Sequence, residues 1–176
     1  MIRCLITTMT LREITNLVFL FLLYLLLQIL ILRNVVLFDY AFCFVYIAGI
    51  LLLPPQINRS AFLLISFFTG VIVDTFYNTL GMHAAATVLI AYVRPLILRT
   101  QVDLPGQEQR QVLSLNELGF NKFFRYTILL ALIHHTTLFT IEASSLTLLV
   151  PTLIRIAAST LFTTICIVLI QFFTRN

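Results

Sequence analysis

Six ionisable side chains fall in or beside strongly apolar stretches: Asp74, His83, His134, His135, Glu142 and Arg155. A carboxylate set against an imidazole is the pair that moves protons, so a membrane enzyme would need a pairing such as His134 with Asp74. His83, His134, Asp74 and Glu142 also supply the donor types of a metal centre, but at no recognised ligand spacing. His134 and His135 are adjacent, so on a helix they point about 100° apart and must face different partners. The chain has no HExxH, GxSxG, Walker or Rossmann pattern. The expectation is a non-enzymatic protein with no catalytic residues, no metal and no cofactor.

These residues must be positioned by elements that sit in lipid. Of the 176 residues 60% are hydrophobic and only 10% are charged, with a mean hydropathy of +1.04. A soluble domain carries charge at about a quarter of its positions. The net charge of +4 would hint at nucleic acid in a soluble protein. Here the cations lie between apolar runs, so they set topology and meet anionic lipid, and no nucleic-acid partner is expected. With no Trp, the interfacial belt falls to Tyr24, Tyr40, Tyr46, Tyr77, Tyr92 and Tyr126. Cys4, Cys43 and Cys166 show no paired spacing and read as inert thiols.

The fold class expected is an all-α integral membrane protein, a single bundle of about six transmembrane helices. Residues 1–13 form a cytoplasmic tail, and 14–176 a six-helix domain with a cytoplasmic loop at about 99–122. The first apolar run follows Arg3 and Arg12 like a signal peptide, but no clear small-residue cleavage site follows, so it reads as a retained span. It covers Leu17 to Leu32. Span two runs from Val36 or Ala41 to Leu53 and stops at Pro54-Pro55. It is short enough that a re-entrant segment stays open. Span three runs from Ala61 to Tyr77, a turn occupies Asn78 to Gly81, and span four runs from Met82 to Leu98. Span five ends near Ile141. Span six starts at Thr147 or Pro151 and ends near Phe173.

An even number of spans puts both termini on one side. That side collects Arg3, Arg12, Arg59, Arg94, Arg99, Arg110, Lys122, Arg125 and Arg175, leaving Arg33 and Arg155 opposite, so it is the cytoplasmic face. In the polar loop, Ser114-Leu115-Asn116-Glu117 matches a capping box flanked by staple positions Leu113 and Leu118. A helix should begin at Ser114 and could lie on the membrane surface through Leu115, Leu118 and Phe120.

In lipid each polar residue costs free energy and needs a reason. The expected orientation gathers the six ionisable residues toward the outer side. Ser66, Gly70 and Asp74 are spaced by four and share a small-residue face suited to close helix packing. Asp74 has three readings: a polar lock with Arg155 or a histidine, a position near head-group water, or part of a ligand pocket. Arg94-Pro95 reads as a helix-ending step, serving as an interface anchor or a partner contact.

The ordered set Gly70-Val71-Ile72-Val73-Asp74, Asn78 through Ala86 with Gly81 and His83, Arg94-Pro95 and His134-His135 resembles the rod shape-determining MreD family. The resemblance covers Leu17 to Phe172 and is most specific from Asp74 to Pro95. It implies a multi-pass protein of the bacterial inner membrane that binds MreC. Through MreC it implies association with MreB, RodA and its partner transpeptidase in side-wall peptidoglycan synthesis and rod shape. It also implies a fold similar to the substrate-binding subunits of energy-coupling vitamin transporters. A substrate-capturing subunit of that kind is the alternative function, and it requires one cavity holding Asp74, His83 and Glu142. A scaffold instead predicts that the Ser66–Gly70–Asp74 face receives a partner's helix.

Overall fold

The computed structural model describes residues 11–102, 113–143 and 149–174. Five long helices carry the fold: α1 (Leu11–Leu30), α3 (Arg59–Tyr77), α4 (Met82–Ile97), α6 (Phe120–Ala143) and α7 (Leu149–Phe173). Between α1 and α3 lie a two-stranded hairpin, β1 (Val36–Leu37) with β2 (Ala41–Phe42), and a short helix α2 (Ile47–Leu51). A second short helix, α5 (Leu115–Leu118), precedes α6. Helices α1, α3, α4 with its extension to Thr100, and α7 are each long and apolar enough to cross a membrane. Helix α6 is 24 residues long but less apolar, with Lys122 and Arg125 near its start and two histidines in its middle. It packs between α4 and α7, so neighbouring protein shields much of it from lipid.

The expected second transmembrane helix is not formed. Residues 36–42 make a hairpin, 43–46 are an irregular run that ends in a turn, and only Ile47–Leu51 is helical. The hairpin turns through a three-residue connection, Phe38 to Tyr40, in which Phe38 and Asp39 hold φ values of 53° and 63° and the Tyr40 amide donates to the Leu37 carbonyl at 3.2 Å. From Phe42 the chain runs beside α4 from His83, near its start, to Arg94, near its end. It therefore traverses the bundle without being a membrane helix, and among the described residues five long helices surround it.

Such a segment is tolerated at membrane depth only if protein satisfies its backbone. Side chains of the surrounding helices do so. Ser159 Oγ accepts from the Phe42 amide at 2.9 Å, and Thr163 Oγ1, one turn later on α7, accepts from the Phe44 amide at 3.0 Å. From α1, Gln28 Nε2 donates to the Cys43 carbonyl at 3.0 Å, while its Oε1 accepts from the Tyr46 amide at 3.4 Å. Arg94 and Tyr126 take the carbonyls at the far end.

Local signals set the α3–α4 hairpin. Asn58 caps α3 by accepting from the Ser60 amide at 3.0 Å. Asn78 ends it in the left-handed region at φ 56°, and Gly81 opens α4 at φ 81°. Ser114 accepts from the Glu117 amide, so the capping residue expected in the polar loop starts α5. Leu113, Leu115 and Leu118 are buried in the main core, so α5 docks on the bundle instead of floating on the membrane surface. Pro95 does not end α4: the helix continues to Ile97 and widens into a π turn over Leu98–Val102. Pro151 lies in the first turn of α7, which is described from Leu149, and the alternative start at Thr147 lies outside the described residues.

Glu13, Ser114, Asn116 and Thr174 line one cavity of about 340 Å³. The start of α1, the end of α7 and the α5 region therefore share one end of the bundle. Arg3, Arg110, Arg175 and Cys4 lie outside the described residues.

Candidate functional site

Two buried polar networks flank the buried segment. The first surrounds Phe44. Its ring centroid lies 5.0 Å from His83, 5.9 Å from His134 and 5.5 Å from His135. The Tyr46 hydroxyl sits 3.0 Å from His83 Nδ1 and 2.8 Å from His134 Nε2. One hydroxyl has one proton, so it donates to one ring and accepts from the other, which requires complementary tautomers. His134 Nδ1 has no partner among the described residues. His135 turns away: its Nδ1 lies 2.6 Å from the Ala131 carbonyl and its Nε2 3.3 Å from Thr163 Oγ1. The two adjacent histidines thus face different partners, as their spacing requires. All three rings are at most 1% exposed.

Asp74 belongs to this end but not to the histidine network. Its Oδ1 accepts from the His83 amide at 2.9 Å and from the Thr79 hydroxyl at 2.6 Å, and its Oδ2 accepts from the Ala84 amide at 2.9 Å. A carboxylate at a helix N-terminus satisfies amides that have no partner within the helix and meets the positive end of the dipole. Asp74 thus ties α3 to the start of α4, which is not the lock expected of it. Its partner is the backbone of α4, neither Arg155 nor a histidine ring. The acid–base pairing of Asp74 with His134 is not formed.

The Ser66–Gly70–Asp74 face is filled by the chain itself. A Cβ on Gly70 would stand 2.3 Å from Ala84 Cα and 2.5 Å from Thr87 Oγ1. Thr87 Oγ1 lies 2.9 Å from the Ser66 carbonyl, which ties the two helices where they are closest. The spacing correctly marks close helix packing, but α4 occupies the place expected for a partner. Gly81 faces open space and serves the turn.

The second network lies at the other end of the segment. Arg94 is 3% exposed. Its Nη2 donates to the carbonyls of Leu51, at 3.1 Å, and Leu53. Its Nε donates to the Tyr126 hydroxyl at 2.7 Å, and that hydroxyl donates to Leu51 at 2.9 Å. The guanidinium also lies 4.6 Å from the Phe62 ring centroid. Arg94 is therefore a core clamp, and both expectations for it, interface anchor and partner contact, give way.

Glu142 and Arg155 stand apart from both networks. They form a partly exposed ion pair at 3.3 Å. Asp74 and His83 are packed while Glu142 is on the surface, so these three do not line one cavity. The sequence reading missed Gln28, Ser159 and Thr163 and placed Tyr24, Tyr46 and Tyr126 in the interfacial belt, though all three tyrosines are buried. Thr160, Thr163 and Thr164 with Ser159 on one apolar helix were the available signal.

Fold and composition together define a multi-pass membrane protein. No family model, curated protein or solved structure matches the chain.

Proposed function

We propose that this protein is a non-enzymatic scaffold of the MreD type in the bacterial cell-elongation machinery. It sits in the cytoplasmic membrane with both termini in the cytoplasm. It binds MreC, and through it MreB, RodA and its partner transpeptidase, to help direct side-wall peptidoglycan synthesis.

One observation carries this reading. The run that resembles the MreD family, Gly70 to Pro95, is one α3–α4 hairpin in which the polar and small residues are spent on internal locks. Gly70 admits Ala84, Asp74 holds the α4 amides, and Arg94 clamps the Leu51 and Leu53 carbonyls. Residues used this way build a rigid platform and leave apolar outer faces for lipid and partner helices. The transporter alternative required Asp74, His83 and Glu142 around one cavity, and the packing of this region does not favour it.

The test is purification of the tagged protein from native membranes in mild detergent, with partners identified by mass spectrometry. Recovery of MreC with RodA and its transpeptidase is the expected result. Recovery of ATPase subunits with a transmembrane coupling protein would refute the scaffold.

A further inference from the structure

A cavity of about 530 Å³ opens between residues 55–59, α3 and the last turns of α4. Three arginines line it, Arg59, Arg94 and Arg99, and no described carboxylate does. Arg59 and Arg99 are exposed, whereas Arg94 is buried. Arg94 makes its hydrogen bonds to neutral oxygens of Leu51, Leu53 and Tyr126. Among the described residues none of the three arginines has an ion-pair partner. A buried cation held only by neutral acceptors keeps an uncompensated charge in a medium of low dielectric.

The remaining walls are largely apolar, with Phe62 and Leu98 among them. The cavity therefore offers a guanidinium on an apolar wall and two more guanidinium groups exposed beside it. Guanidinium forks match phosphate oxygens two at a time. Apolar walls beside a cationic cluster suit an amphiphile whose charged group lies at the membrane surface.

We propose that this cavity is a binding site for a phosphate-bearing anion, whether the phosphodiester headgroup of an anionic phospholipid or free phosphate. Arg59 and Arg99 capture the anion at the surface, and Arg94 supplies the fixed charge behind them. The site is separate from the histidine network and independent of the scaffold reading.

The experiment is native mass spectrometry of the full chain, loaded with equal amounts of phosphatidylglycerol and phosphatidylcholine. The wild type should retain phosphatidylglycerol in preference by about tenfold. An Arg59→Gln, Arg99→Gln double variant should fall close to parity while unfolding at the wild-type temperature. Arg94 is left intact because it clamps Leu51 and Leu53. Millimolar inorganic phosphate separates the two sources. Displacement of the phosphatidylglycerol shows that phosphate alone suffices, and retention against it assigns the lipid. Equal retention of both lipids by the wild type, or a preference unchanged in the double variant, would overturn the proposal.

Discussion

The Asp74 carboxylate meets His83 at its backbone amide, 2.9 Å away, and not at its ring. Its other oxygen takes the Ala84 amide at the same distance. The charge is thus compensated by the end of a helix. Asp74→Ala would strand two amides inside the bundle. The loss of a capping side chain alone costs about 1 kcal/mol, and buried amides left unpaired raise that further. Asp74→Asn keeps one acceptor and should fall between the alanine variant and wild type. Thermal unfolding in detergent measures the order, and an alanine variant as stable as wild type would contradict the lock.

Gly70 and Gly81 separate two reasons for glycine. At Gly70 a methyl group collides with the α4 backbone, so Gly70→Ala should destabilise by about 3 kcal/mol as α3 and α4 are pushed apart. At Gly81 nothing lies within 4 Å, but φ is +81°, so Gly81→Ala should cost only about 1 kcal/mol of backbone strain. Unfolding temperatures of the two variants should rank in that order. The reverse ranking would mean that the helices are not in contact at Ala84.

The elements whose determinants are local were legible in the sequence. The turn at 78–81, the start of α4 at Met82 and the cap at Ser114 each depend on residues within a few positions. Residues 36–53 were not legible. Their composition is that of a membrane helix, and what keeps residues 42–46 from continuing as one is a set of side chains far away in the chain. Phe42 is 117 positions from Ser159, and Phe44 is 119 from Thr163. The same distance hid the role of Arg94, whose carbonyl acceptors at Leu51 and Leu53 lie 43 and 41 positions earlier in the chain. The small-residue face was visible, but spacing alone does not say which helix fills it.

Arg94 separates charge from geometry. Arg94→Lys keeps the cation but not the fork that reaches Tyr126 and two carbonyls together. It should retain part of the stability, whereas Arg94→Ala leaves buried neutral acceptors unpaired, at about 1–3 kcal/mol per group, and should lose much of the folded yield. Size-exclusion chromatography in detergent gives the yield, and unfolding temperature gives the order. An Arg94→Ala variant as stable as wild type would show that the contacts to Leu51 and Leu53 carry little, and equal loss in the two variants would assign the whole effect to the fork.

Thr163 holds the buried segment from α7. Its hydroxyl accepts from the Phe44 amide, and its oxygen lies 3.3 Å from the Phe42 carbonyl. Thr163→Val preserves shape and removes both bonds together with the contact to His135 Nε2, leaving an amide in a dry interior at a cost of about 1–3 kcal/mol. Because the buried segment has no helical ladder to fall back on, the loss should appear locally first. Hydrogen exchange should accelerate at Phe44 and its neighbours while the α3–α4 hairpin stays protected. Thr160→Val, on the same helix and bonded at 2.6 Å to the Ile156 carbonyl of that helix, serves as the control and should leave exchange at Phe44 unchanged. If Thr163→Val also leaves it unchanged, the segment is held by its own apolar packing, and the hydroxyls of α7 are not what lets a non-helical chain cross the bundle.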